Sequence, residues 1–344
     1  MAYIEIQSAL GQIGILAILA LSLNVICGLT GLLQLGQAGF YAIGAYAAGL
    51  TAIYFTVPEL GFLNFFICAA VGMAAAGTAS VIIGLPCLRL RGDYLAIATL
   101  GFGEITRLVL VNLQFPGGKM FPNETIGGAT GIKFTEFPGD VWPDFPDYSA
   151  GFARWWVIWA FAAIVWILLV NIKRSSFGRA MMCIREDEIA AQAMGINLSK
   201  YKMTAFIASA VTAGFAGVLF FHMELSIAPG KFNLLCSIEI LLMVVLGGLG
   251  SFSGAVSGAI VLGVMPYILR HVEICGYRLG EYQQLIYAVL LIVLIRLVPN
   301  GIFGMREKPD WLDTLGGRLP ARVYLLKLYR MVFHLNEFKR NLFK

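Results

Sequence analysis

The sequence has 344 residues, of which 59% are hydrophobic and only 13% are charged. A soluble domain carries charge at about a quarter of its positions, so this composition excludes an ordinary soluble enzyme. The net charge of +5 arises from basic residues concentrated in a few loops and near the C-terminus. That distribution orients membrane proteins and does not indicate a nucleic-acid partner. We therefore predict an integral membrane protein with no nucleic acid among its partners.

Apolar blocks follow one another along the chain, most of them close to the roughly 20 residues that span a hydrocarbon layer. They cover residues 8–30, 33–57, 63–87, 94–115, 153–172, 201–223, 236–249, 253–270 and 282–298. Two are irregular, because glycines divide the block 33–57 and the short block 236–249 ends in a Gly-Gly-Leu-Gly run. Broken segments are tolerated where protein or water satisfies the backbone, although the same glycines also simply permit close helix packing. We predict an all-α, polytopic transmembrane bundle of eight or nine spans with interrupted or re-entrant segments.

The charges in three loops predict how the bundle is oriented. Segment 173–202 carries six basic and three acidic side chains, and the short loop 88–93 is also basic. Segment 116–154, by contrast, carries five acidic and three basic residues. Because basic loops are retained in the cytoplasm, we place 88–93, 173–202 and the tail from residue 305 inside and 116–154 outside.

Two regions follow from this orientation. Residues 1–304 form the transmembrane domain, which includes a cytoplasmic loop at 173–200. Residues 305–344 form a basic cytoplasmic tail broken by two prolines. Within it, 321–335 fits either a basic amphipathic helix lying on anionic membrane lipid or a solvated, disordered tail.

The motifs of several enzyme classes are missing from the sequence. There is no GxxxxGK[ST] phosphate loop, so the chain is not itself an ATPase. There is no HExxH, the six cysteines form no CxxC pair, and Gly250-Ser-Phe-Ser-Gly254 has phenylalanine where a GxSxG nucleophile would stand. We therefore predict no catalytic residue, no metal site and no cofactor.

The cytoplasmic segment 177–197 has the local signals of a short helix. Asp187 is a good N-cap, the acids around it complement the positive end of a helix, and Gly195 suits the left-handed position that ends one. Small residues in between leave room for a partner to dock, although a helix lying on the membrane surface fits the same pattern. The candidate docking residues are Glu186, Asp187, Ala190, Ala191, Met194 and Gly195.

Four runs of sequence resemble one membrane-protein family. They are Arg185-Glu-Asp-Glu-Ile-Ala-Ala-Gln-Ala-Met-Gly-Ile-Asn197, Leu90 to Ile105, Ser237 to Gly250, and Pro299-Asn-Gly-Ile-Phe-Gly304. In family order over roughly residues 10–306, the chain is similar to LivM-type permeases of branched-chain amino acid ABC importers. It departs from the family in its longer, more basic tail and in Gln37, where members often have histidine.

The resemblance implies a function and a set of partners. It implies a multi-pass permease of the bacterial inner membrane that catalyses no covalent reaction. Residues 186–195 would be the coupling helix that seats in a cleft of an ATPase subunit. The implied partners are a second, LivH-type permease, two ATP-binding subunits and a periplasmic substrate-binding protein. The rival interpretation is a stand-alone secondary transporter or channel for a small polar solute.

Polar side chains inside the apolar blocks are candidates for the substrate pathway. An ionisable group at mid-bilayer costs about 2.5–3.5 kcal/mol on insertion scales, so it normally faces protein or water. Glu104 and Arg107, three residues apart on one helix face, fit either a pathway lining or a structural ion pair. The predicted pathway residues are Asn24, Gln37, Glu104, Arg107 and Glu239.

Overall fold

The computed structural model describes most of the chain up to residue 292. The described residues are 2–55, 63–88, 90, 92–116, 125–133, 152–224, 226–271, 273–274, 277–278, 285–290 and 292. By its contacts the chain divides into two units, Met1–Met305 and Arg306–Lys344, and only the first contains described residues. The predicted basic tail 305–344 and most of the predicted ninth block therefore lie outside the described residues.

Helices account for nearly all of the described structure. They are α1 (Ala2–Asn24), α2 (Gln37–Phe55), α3 (Leu63–Cys87), α4 (Asp93–Asn112), α5 (Phe152–Arg174), α6 (Ser176–Glu186), α7 (Glu188–Ala193), α8 (Leu198–Glu224), α9 (Leu234–Gly247) and α10 (Phe252–His271). A six-residue π-helix, Val25–Thr30, continues α1 directly. Within the described ranges, eight segments are long and apolar enough to cross a membrane. The predicted all-α polytopic bundle is confirmed.

Short antiparallel strand pairs lie in the connections between helices. They are β1 (Gln114–Pro116) with β2 (Thr125–Gly127), β3 (Ile132–Lys133) with β4 (Ser226–Ile227), and β5 (Glu273–Ile274) with β6 (Tyr277–Arg278). In the second pair, Ile132 is opposite Ile227, which joins the connection after α4 to the end of α8.

The centre of the bundle is made of α1, α2 and α8, whose side chains are largely buried, whereas α3, α4 and α5 expose many apolar side chains. Glycines let the central helices approach closely. A Cβ atom on Gly44 of α2 would overlap the Gly214 carbonyl oxygen of α8, and one on Gly217 would overlap the Tyr41 carbonyl oxygen. Small residues at such crossings bring backbones into van der Waals contact, which drives helix association where lipid is as apolar as the side chains.

The two basic loops share one end of the bundle. Helices α3 and α8 run antiparallel, because Gly72 contacts Val218 while Gly84 contacts Met203. The turn after α3 therefore lies near the start of α8, at the end where α6 and α7 are also found. Strands β3 and β4 lie at the opposite end of α8. This grouping agrees with the predicted placement of both basic loops on one side.

The first interruption lies elsewhere than the sequence pattern indicated. Helix α2 is continuous through its glycines, and the break is the non-helical segment 31–36 before it. The π-helix ends at Gly31, whose φ of 72° is left-handed. The following segment packs on α4, where the Leu35 amide donates to the Thr99 hydroxyl at 3.1 Å. Gly44 of α2 faces the Gly214 backbone, and Gly49 faces the side chains of Ile227 and Ile132. These glycines serve packing and do not break the helix.

We expect Gly44→Val to destabilise the bundle by about 3 kcal/mol or more, because the added side chain would force α2 away from α8. The matched control is Gly101→Val in α4, since a Cβ at Gly101 would meet no atom within 4 Å. Both changes place the same β-branched residue within a helix. Unfolding in mixed detergent micelles, followed by tryptophan fluorescence, measures the effect. Equal stabilities for the two variants would contradict the packing described above.

Candidate functional site

The predicted docking segment forms two short helices, α6 and α7, that meet at Asp187. The Asp187 carboxylate accepts hydrogen bonds from the amides of Ile189 at 2.7 Å and Ala190 at 3.1 Å. It therefore caps α7 as the sequence predicted. Gly195 follows α7 with φ of 81°, the left-handed conformation that its position indicated. Glu186 differs from the prediction, because it is the last residue of α6 and does not belong to the capped helix.

The exposed surface at α7 includes large apolar side chains as well as small ones. Ile189 is 81% exposed and Met194 is 83% exposed, whereas Ala191 is only 3% exposed. Ala191 thus packs against the chain itself, and its neighbour Ala190 faces outward. An ion pair of 2.7 Å between Lys202 of α8 and Glu188 holds α7 near the bundle. Ile189 is not among the docking residues predicted from the sequence; the available signal was an apolar residue in the first turn after the Asp187 cap, directly preceded by three acids.

Asn24, at the end of α1, is hydrogen-bonded to the turn between α9 and α10. Its side-chain oxygen accepts from the Gly250 amide at 2.8 Å, and its side-chain nitrogen donates to the Ser251 carbonyl at 2.8 Å. All three residues are buried. Both hydrogen-bonding ends of the amide are therefore occupied by backbone, so Asn24 holds two helices together.

Gln37 occupies a similar position at the start of α2. Its side-chain nitrogen donates to the Ser22 hydroxyl, and its oxygen accepts from the Ser209 hydroxyl at 3.4 Å. The next amide, that of Ala38, donates to the Ser237 hydroxyl at 3.1 Å. The beginning of α2 is thereby tied to α1, α8 and α9 by buried polar contacts.

Glu104 and Arg107 form the predicted ion pair, with Arg107 Nε donating to Glu104 Oε2 at 2.8 Å. The other oxygen, Glu104 Oε1, accepts from the Leu234 amide at 3.1 Å, which is the first amide of α9. Asn233 caps the same helix through the Cys236 amide at 3.0 Å. Unpaired amides at a helix N-terminus need such acceptors in a membrane. This geometry favours the structural interpretation of Glu104.

Glu239 differs from the other four predicted pathway residues. It lies in α9, within an apolar span, and is half-buried. Its carboxylate has no hydrogen bond or ion pair with any residue that the structure describes. No hydrogen bond or ion pair among the described residues joins Glu239 to the other four predicted pathway residues. In the same part of the chain, no three His, Cys, Asp or Glu side chains are grouped as a metal ion would require.

Comparison with known proteins agrees with these features. The family model described as branched-chain amino acid transport system / permease component matches residues 6–295. The chain belongs to this family. It is a multi-pass membrane permease and not an enzyme, and the resemblance to LivM-type permeases is confirmed.

Three relatives show how far the similarity extends. LivM of Salmonella typhimurium strain LT2 is 35% identical over 301 residues, covering 84% of this chain and 67% of that protein. LivM of Escherichia coli strain K12 is 36% identical over the same shares. LivH of Escherichia coli strain K12 is 24% identical over 302 residues, covering 85% of this chain and 92% of LivH. The chain is thus similar to both kinds of permease, and more so to LivM.

We expect Asn24→Ala to destabilise the bundle by about 1–3 kcal/mol, because it leaves the buried Gly250 amide and Ser251 carbonyl without their partners. Asn112→Ala is the matched control: its exposed amide donates only to the Leu108 carbonyl of its own helix. That change should fall within about 0.5 kcal/mol of the parent. Detergent unfolding curves measure both. A stable Asn24→Ala variant would show that the turn is held by other contacts.

Proposed function

We propose that this chain is one of two permease subunits of an ATP-binding-cassette importer for branched-chain or related small amino acids. Its partners are then a LivH-type permease, two ATP-binding subunits and a periplasmic substrate-binding protein, and its location is the bacterial inner membrane. The names of the LivM and LivH relatives support the substrate and the pairing of permeases. The sequence has no phosphate-binding loop, so ATP hydrolysis belongs to separate subunits.

The observation that carries this proposal is the geometry of α7. Ile189 of α7 and Met194, which directly follows that helix, are exposed apolar side chains in the basic segment 173–202 that is predicted to be cytoplasmic. Exposed apolar anchors surrounded by polar residues are typical of protein interfaces. An ATP-binding subunit on the cytoplasmic side is the partner that the family implies.

The pathway proposal concerns Glu239 alone. Asn24, Gln37 and Glu104 are engaged in holding helix ends, so their polar groups are not available to a substrate in this conformation. An ionisable group within a membrane span faces protein or water and indicates a functional site. An amino acid in transit carries an α-ammonium group, which is a suitable partner for the Glu239 carboxylate. We therefore propose that Glu239 lines the pathway.

We expect Ile189→Glu and Met194→Glu to abolish ATP-driven uptake in the assembled transporter, because each places a charge where an apolar contact is needed. Membrane insertion should be unchanged, since both side chains are exposed. Ser199→Glu is the control, as it introduces the same acid at an exposed position in the first turn of α8. Co-purification with the ATP-binding subunits and substrate-dependent ATP hydrolysis are the measurements.

Reconstitution into liposomes distinguishes the proposed importer subunit from a stand-alone transporter or channel. The parent protein in liposomes, without ATP-binding subunits, should be inert under an ion gradient. Uptake of a small solute by the chain alone would instead establish a secondary transporter or channel. Normal ATPase stimulation by Ile189→Glu would contradict the assignment of α7.

We expect Glu239→Gln to lower the rate of amino-acid uptake at least tenfold, because it removes the charge that meets the substrate ammonium while keeping the shape of the side chain. Glu104→Gln makes the same chemical change in the neighbouring helix α4. Combined with Arg107→Gln, it retains an acceptor for the Leu234 amide and leaves no unpaired guanidinium, so uptake should stay within about twofold of the parent. Initial rates of radiolabelled leucine uptake test both. Equal uptake rates in the two variants would show that Glu239 does not line the pathway.

A further inference from the structure

Two basic side chains near the ends of α5 and α6 reach backbone carbonyls in irregular segments of the membrane domain. Arg185, in the last turn of α6, donates from Nη1 to the Gly28 carbonyl at 2.6 Å. Lys173, in the last turn of α5, donates from Nζ to the Gly250 carbonyl at 2.9 Å. Gly28 belongs to the π-helix after α1, and Gly250 belongs to the turn between α9 and α10.

The π-helix and the turn at Gly250 are in direct contact with each other. A Cβ atom on Gly28 would lie 2.6 Å from the Gly250 amide nitrogen and 2.8 Å from its Cα atom. The Asn24 side chain, which also lies at this contact, is itself bonded to the Gly250 amide, so a displacement of the π-helix has to displace the turn at Gly250.

The stem of Arg185 packs on the end of the π-helix. A Cβ atom on Gly31 would lie 3.1 Å from Arg185 Cγ and 3.7 Å from Arg185 Cβ. On the neighbouring turn of α6, Met181 is buried in an apolar cluster with Val25 and Leu29 of the π-helix. Helix α6 is thus attached to the π-helix by an apolar contact and by a charged hydrogen bond.

The π-helix that Arg185 contacts has two properties that point to a functional role. Carbonyls at the C-terminal end of a helix lack partners and carry partial negative charge, so a guanidinium stabilises them. Segments of π-helix are rare and are frequently found at functional sites.

We propose that Arg185 is a positioning residue that transmits the displacement of α7 to the π-helix Val25–Thr30 and, through the contact of Gly28 with Gly250, to the turn that begins α10. This inference rests on the proposed docking of ATP-binding subunits on α7. It adds the route by which that docking reaches α9, the helix that carries Glu239.

The first test uses the complete transporter in proteoliposomes and measures substrate moved per ATP hydrolysed. We expect Arg185→Gln to lower this ratio at least tenfold while ATP hydrolysis stays within about threefold of the parent. Arg185→Lys should restore most of the ratio, because an ammonium group also donates to a carbonyl, as Lys173 does. The control is Arg179→Gln, also in α6, whose guanidinium bonds, among the described residues, to Arg174 and Ser176 nearby.

The second test replaces the hydrogen bond with a covalent one. The Cβ separation of 3.7 Å between positions 31 and 185 lies within the range of about 3.5–4.5 Å that disulfides adopt. In a background without the six native cysteines, Gly31→Cys with Arg185→Cys should transport efficiently when oxidised and become uncoupled when reduced. Gly31→Cys alone reports the strain of a side chain at a left-handed position.

These outcomes decide the inference even where one variant fails to assemble. If Arg185→Gln moves as much substrate per ATP as the parent, the inference is overturned. It is also overturned if the oxidised double-cysteine protein is as uncoupled as its reduced form. If Arg185→Gln does not assemble, the redox comparison alone decides. If the parent transporter hydrolyses no ATP in response to substrate and binding protein, the proposed function fails, and this inference fails with it.

Discussion

The constraint that shapes this molecule is the need to satisfy backbone groups where helices break within the packed bundle. Each break frees amides and carbonyls, and those that are buried cannot bond to water. Here the amides at the start of α2 and α9 bond to Ser237, Glu104 and Asn233, and the turn before α10 bonds to Asn24. The irregular segments are therefore held by specific partners on neighbouring helices, so the breaks fix how the helices are arranged.

That requirement decides the roles of most polar residues in the spans. A polar side chain in a membrane is either engaged by partners within the protein or available to act on a solute. Asn24 and Glu104 bond to freed backbone amides. Gln37 bonds to the hydroxyls of Ser22 and Ser209, so it too is engaged within the protein. Glu239 has no such engagement among the described residues. The distinction rests on hydrogen-bond partners and could not be made from residue type.

Local features of the fold were predictable from sequence, and tertiary ones were not. The span lengths, the Asp187 cap and the left-handed Gly195 depend on a few adjacent residues, so the sequence identified them. The Glu104–Arg107 pair followed from spacing on one helix face. The bond from Glu104 to the Leu234 amide joins positions 130 residues apart, and the burial of Ala191 depends on how α7 packs. No periodicity in the sequence reports such contacts.

Glycine has two opposed roles in this bundle. At Gly44 and Gly214 it lets α2 and α8 touch along their backbones, which makes the centre stiff. At Gly28 and Gly250 the same close approach joins a π-helix to a turn, and the cations of Arg185 and Lys173 bind the carbonyls there. A close-packed contact between two irregular segments moves as a unit, because it cannot be compressed. The structure thus combines closely packed helix backbones at its centre with a close contact between two irregular segments whose carbonyls bind cations.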